Sequence, residues 1–173
     1  MRTDDRFLLG ILAGIVILVI AAFAVVLSRA EPEYRTDDSP AAAAHNYLLA
    51  LQRADYARAY DYLSPALAGR PASVEDFVED MTTRVGDDIA DAEVAIGETT
   101  ITGEVAVVKV RQSTFYSGGL FDSGLTSTPF SMTLRQGDGG WHITRSEMHW
   151  YQCWEDPDLD WCREAEPVKP VAP

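Results

Sequence analysis

The chain has no GxGxxG or other phosphate-cradling loop, no GxSxG elbow and no CxxC pair. Those gaps leave no support for a glycine-loop nucleotide site, for a hydrolase nucleophile or for a dithiol redox motif. Basic residues are scarce: 14 Lys and Arg stand against 27 Asp and Glu. Residues 31–173 hold 11 of the former and 25 of the latter, a balance of −14. Such a surface repels phosphate backbones and anionic headgroups, which argues against nucleic-acid binding and against docking on lipid through the domain itself. Histidine occurs three times and cysteine twice. His142 and His149 are seven apart, so a regular strand sends them to opposite faces and they cannot chelate together. Asp156, Asp158 and Asp160 have the first spacings of a calcium loop. Trp161 and Pro167 then stand where that loop needs Gly and Glu, so an EF-hand is excluded. The sequence predicts no metal and no cofactor.

What the chain does have is one long apolar run, FLLGILAGIVILVIAAFAVVL, 21 residues from Phe7 to Leu27 without a charge. As a helix it would be roughly 32 Å long, about the thickness of a bilayer's hydrocarbon core. Ala22-Phe23-Ala24 and Ser28-Arg29-Ala30 both read as cleavage sites, but the unbroken run favours an uncleaved signal anchor. The expected layout is a cytoplasmic leader over 1–6, a transmembrane helix over 7–28, a linker over 29–38, one domain over 39–164 and a flexible tail over 165–173. The N-terminus is expected inside the cell membrane and the C-terminal domain outside. Gly10 and Gly14 form a GxxxG step, a candidate helix-dimer face.

Beyond the linker, Ser39-Pro40 opens a helix that runs through the alanines to about Arg53. Asp55 caps a second, with Tyr56, Ala59, Tyr60 and Leu63 on one stripe. Ser73 to Asp76 caps a third, which turns Phe77, Met81 and Val85 inward and ends at Gly86. From Ile89 the apolar period becomes two. Val94 and Ile96, then 105–110 toward Phe115, then Phe130, Met132 and Leu134, and finally 141–151 read as four strands. Residues 116–129, rich in Gly, Ser and Thr, read as a loop, and 137–140 as a hairpin turn. Helices followed by strands imply α+β with an antiparallel sheet. Cys153 and Cys162 enclose a short loop. They should pair in an oxidising compartment, whereas two free thiols would mark the reverse topology. Trp150, Tyr151, Trp154 and Trp161 are expected to pack around that clasp.

The run Ala44-His45-Asn46-Tyr47-Leu48-Leu49-Ala50-Leu51-Gln52-Arg53-Ala54-Asp55-Tyr56-Ala57-Arg58-Ala59-Tyr60 resembles the opening of nuclear-transport-factor-2-like domains. Leu63-Ser64-Pro65 and Asp138-Gly139-Gly140-Trp141-His142-Ile143 fit the same pattern, and the resemblance covers residues 39 to 151. It is nearest to the membrane-anchored bacterial members, whose function is unknown. The resemblance implies a cone: about three helices packed on a curved antiparallel sheet of four or more strands, with a pocket at the open end. Enzymes on this fold place an acid/base pair inside the cone. The nearest residues here are Tyr47, Tyr60, Asp61 and His142, none of them in a catalytic motif of the family, so no catalytic residue is assigned. The expected function is a membrane-anchored, extracytoplasmic and non-catalytic binding or scaffold domain with a small apolar ligand pocket. An isomerase- or dehydratase-like enzyme and an oligomeric envelope component are the alternatives. The membrane is the expected partner of residues 7–28, with a protein partner or a second copy for the domain.

Overall fold

The computed structural model describes residues 3–27, 32–86, 89–119 and 122–163. The flexible tail expected over 165–173 lies outside them. The chain divides into two compact units, Met1–Glu33 and Tyr34–Pro173. The first contains the helix α1 (Thr3–Leu27). Its side chains are described from Gly10 to Phe23, and all of those are exposed. Among the described residues no helix is long and apolar enough to cross a membrane. The structure by itself therefore does not show the span expected over 7–28.

The second unit is α+β. Helix α2 (Pro40–Gln52) begins where Ser39 Oγ accepts the Ala42 amide at 3.0 Å. It is buried on nearly every side, with Ala44, Tyr47, Leu48 and Ala50 at the centre of the core. Residues 34–38, expected as linker, cover part of it. Asn46 holds Arg35 by two hydrogen bonds, accepting from the Arg35 amide at 2.8 Å and donating to its carbonyl at 2.9 Å. Helix α3 (Tyr56–Asp61) is capped by Asp55, and α4 (Val74–Asp80) by Ser73. The last turn of the third helix widens to π geometry over Met81–Val85 and stops at Gly86, whose φ is 85°. Phe77 and Met81 point into the core as the spacing predicts.

Strands β1 (Glu93–Thr102), β2 (Val105–Ser117), β3 (Ser123–Gly137) and β4 (Gly140–Ser146) form one antiparallel meander in that order. Ala106, Val108 and Val110 of β2 are buried with Phe130, Met132 and Leu134 of β3. The residues between them face out, so the helices cover one side of the sheet. Register shifts at Ile96/Thr99 and Thr133/Leu134 mark irregularities of the kind that bend a strand. The fourth strand ends earlier than expected, at Ser146, where Ser146 Oγ donates to the Met148 carbonyl at 2.7 Å. Its outer edge is covered by the chain after α3: Ile143 donates to Tyr62, and Ser64 donates to Ile143.

The expected loop over 116–129 is instead mostly strand. Pairing of β2 with β3 continues from Val105↔Arg135 to Ser117↔Ser123. The hairpin therefore runs past the end of β1, whose pairing stops at Glu93↔Ser113, and past β4, whose pairing stops at Met132↔Ser146. Both faces of this extension are mainly exposed, so there was no apolar alternation to reveal it.

Candidate functional site

After β4 the chain folds back over α4 and makes a cleft. Gln152–Trp154 is a 3₁₀ turn and Asp160–Arg163 a short helix, α5. Cys153 and Cys162 join them as a disulfide with their Cα atoms 5.6 Å apart. The bond anchors Trp154, which is 1% exposed. The Trp154 indole meets Phe77 at 5.2 Å, Trp150 at 4.9 Å and Tyr151 at 6.2 Å between ring centroids. Its Nε1 donates to Asp80 Oδ2 at 2.7 Å. Trp161 does not join this cluster and is 57% exposed.

Asp80 and Arg84 lie one turn apart and form an ion pair at 3.4 Å. Arg84 Nη1 donates to the Tyr151 hydroxyl at 2.8 Å. That hydrogen bond raises the Arg84 pKa further, against the opposing effect of burial, so the guanidinium stays charged at any ordinary pH. The cleft holds about 670 Å³ and is walled by Pro71, Asp80, Arg84, Tyr151, Trp154 and Pro157. Its floor is the crossing of Gly69 over Cys153. The Gly69 amide donates to the Trp154 carbonyl at 3.0 Å, and a Cβ on Gly69 would lie 2.0 Å from the Cys153 carbonyl oxygen. Only glycine permits that approach.

A second polar group lies inside the core. Tyr47 is fully buried and donates its hydroxyl to the His149 carbonyl at 2.9 Å. Burial pushes the phenol pKa up, so Tyr47 is held as a neutral donor. His149 Nε2 lies 2.5 Å from Gln112 Oε1, and both side chains are buried. The His149 backbone has φ 53°, sparsely populated by side-chain-bearing residues.

The residues singled out from the sequence do not converge on one point. Tyr47 is a core bolt. Tyr60 donates to the Pro71 carbonyl at 2.8 Å, and the Arg70 guanidinium sits 4.1 Å from its ring centroid. Asp61 and His142 both line, with Tyr62 and Trp141, one surface hollow of about 360 Å³. His142 faces away from the core between buried Trp141 and Ile143, as strand alternation predicts. Gly10 and Gly14 lie on α1 with open space where a Cβ would be. Among the described residues no group of three or more His, Cys, Asp or Glu side chains is placed to hold a metal ion.

No family model matches this chain, and no curated protein matches it. Among solved structures it is similar to a SEC-C motif containing protein from Rhodopseudomonas palustris. The two are 16% identical over 66% of this chain and 81% of that one, with a TM-score of 0.45. It is also similar to a proposed dehydratase of the NTF2-like family from Streptomyces avermitilis, 16% identical over 58% and 86%, with a TM-score of 0.38. A proposed calcium/calmodulin dependent protein kinase II association domain from Xanthomonas campestris is 16% identical over 65% and 92%, with a TM-score of 0.38. One of the three belongs to the family that residues 44–60 resemble. At these TM-scores the likenesses carry no argument, and the architecture stands on the chain's own elements.

Sequence reasoning did not single out Asp80, Arg84 or Gln112, and it weighed His149 only as a metal ligand. The Asp80–Arg84 pair has a local signal, opposite charges at i and i+4 on one helix face. Gln112 and His149 are 37 residues apart and have none.

Proposed function

We propose that this protein is a non-catalytic binding or scaffold domain of the nuclear-transport-factor-2-like kind, tethered to the cell membrane by residues 7–28 and held outside the cytoplasm. The observation that carries the non-catalytic reading is how the acid/base candidates are used. Tyr47 and Tyr60 are spent on backbone carbonyls, and the interior is filled by Tyr47, Leu48, Met132, Leu134, Ile143 and Trp154. The tether is supported by α1, on which Ile11, Leu12, Ile15, Ile17, Leu18 and Phe23 are all exposed. A helix apolar on every side needs apolar surroundings. The disulfide supports an oxidising compartment.

With the interior packed, the binding surface we favour is the cleft beside the disulfide. Proline and tryptophan walls edged by two guanidiniums, Arg84 and Arg163, and three carboxylates, Asp76, Asp80 and Asp158, suit a ligand with an apolar body and polar groups of both signs. Native mass spectrometry of the detergent-extracted protein tests this. A retained molecule, or a partner lost in Arg84→Ala, is the expected result. Protease shaving that leaves the C-terminal domain untouched in sealed cells and digests it only after lysis would overturn the topology. The enzyme alternative keeps one specific observation: Asp61 and His142 share a hollow. Loss of a turnover activity in Asp61→Asn and His142→Gln would favour it. The open Gly10–Gly14 face is what favours an oligomeric envelope component.

A further inference from the structure

The sheet has four stretches of edge, namely the outer sides of β1 and β4, a short one on β2 over Thr114–Ser117 and a longer one on β3 over Ser123–Pro129, and the sequence treats them differently. The β4 edge is covered by residues 62–64. The β1 edge carries Glu93, Glu98 and a register shift, devices that deter pairing with another strand. The β3 edge between Ser123 and Pro129 has none of these. From 112 to 134 the only charged residue is Asp122, in a chain of net charge −13. Among the described residues no strand pairs with β3 on that side.

The register says which groups face outward there. The Ser131 amide donates to Glu147 Oε2, and the Ser131 carbonyl accepts from the Glu147 amide. Ser131 therefore points its backbone away from β2. Antiparallel pairing alternates, so 129, 127, 125 and 123 do the same. At 129 the residue is proline, which has no amide to offer and ends the edge toward the core. What remains is Ser123-Gly124-Leu125-Thr126-Ser127, whose outward positions read Ser, Leu, Ser in either direction. Leu125 pairs across the hairpin with Phe115, and the two are 65% and 67% exposed.

We propose that β3 residues 123–127 pair antiparallel with the same residues of a second copy, joining two four-stranded sheets edge to edge about a two-fold axis at Leu125. In that register Leu125 meets Leu125 of the second copy, and Ser123 meets Ser127, with about six backbone hydrogen bonds. The two-fold axis stands perpendicular to the sheet, so both Leu125 and both Phe115 side chains share one face and cover each other. A second copy suits this strip because the strip is self-complementary. It is also a neutral place where two strongly anionic molecules can touch. The pairing is independent of the binding cleft, and its failure would leave that reading intact.

The test uses the full chain in mild detergent. Leu125→Cys places two thiols opposite each other at a Cα separation of about 5.5 Å, within disulfide reach. Mild oxidation is expected to link it into dimers at least about tenfold more readily than Ile101→Cys on β1, which is also exposed. Ser127→Pro removes an outward amide and the exposed Ser113–Ser127 hydroxyl contact, and leaves the backbone bonds to β2 in place. Added to Leu125→Cys, it is expected to cut the linked dimer about tenfold while the domain's melting curve is retained. Equal linking at 125 and 101 would overturn the proposal, as would undiminished linking in the proline variant. A dimer by mass with no link through 125 would move the contact to the Gly10–Gly14 face and overturn it too. Linking of Leu125→Cys to a different chain alone would make the occupant another protein and likewise overturn it.

Discussion

Gly69 is a point where one atom decides the packing. A methyl group there collides with the Cys153 carbonyl, a backbone atom that cannot swing aside. Gly69→Ala is expected to cost at least about 2 kcal/mol in a denaturant melt. Tyr47→Phe should cost about 0.5–1.5 kcal/mol, the net worth of the buried hydrogen bond it removes. Glu155 behaves differently, because burial raises its carboxyl pKa against the opposing pull of Arg145. The folded state then holds that proton more tightly than the unfolded chain does. Ionisation therefore costs stability in full above the raised value, and costs nothing below the ordinary carboxylate range. Glu155→Gln should melt higher than the parent at neutral pH, and the gap should close as pH falls through the carboxylate range.

Among the elements, the segment from Cys153 to Cys162 is closed by a covalent bond. Closing so short a loop is worth roughly 2.5–3 kcal/mol in the chain-entropy account. Reduction should lower the denaturant midpoint by a corresponding amount. It should also raise Trp154 fluorescence quenching by small solutes, since the indole is pinned by the bonded turn. The helices were legible because their caps are local: Ser39, Asp55 and Ser73 each accept an amide three residues on. The β2–β3 extension was not legible, since Ser, Thr and Gly read as loop when neither face is buried. Its order comes from a partner strand and from Tyr116, whose ring would sit 2.9–3.0 Å from a Cβ on Gly124.

For the whole molecule, the unit from Tyr34 onward carries its own core and its own clasp. A chain cut to 34–163 is expected to fold, form the Cys153–Cys162 bond and melt within a few degrees of the full chain, by circular dichroism. The full chain alone should partition into membranes.

Periodicity and capping chemistry act within a few residues, so the order of helices and strands and the inward face of each strand could be read from the sequence alone, while the two close cysteines could be read only as a pair conditional on an oxidising compartment. The apolar run, too, is a property of composition. Contacts between distant residues are different, because nothing local encodes them. Only the fold decided that Tyr47 would be a bolt on His149, that Gln112 would find His149, and that Asp61 would share a hollow with His142 while Tyr60 would not. The edge at Leu125 is of the same kind, since an open edge exists only once every other strand has found its neighbour.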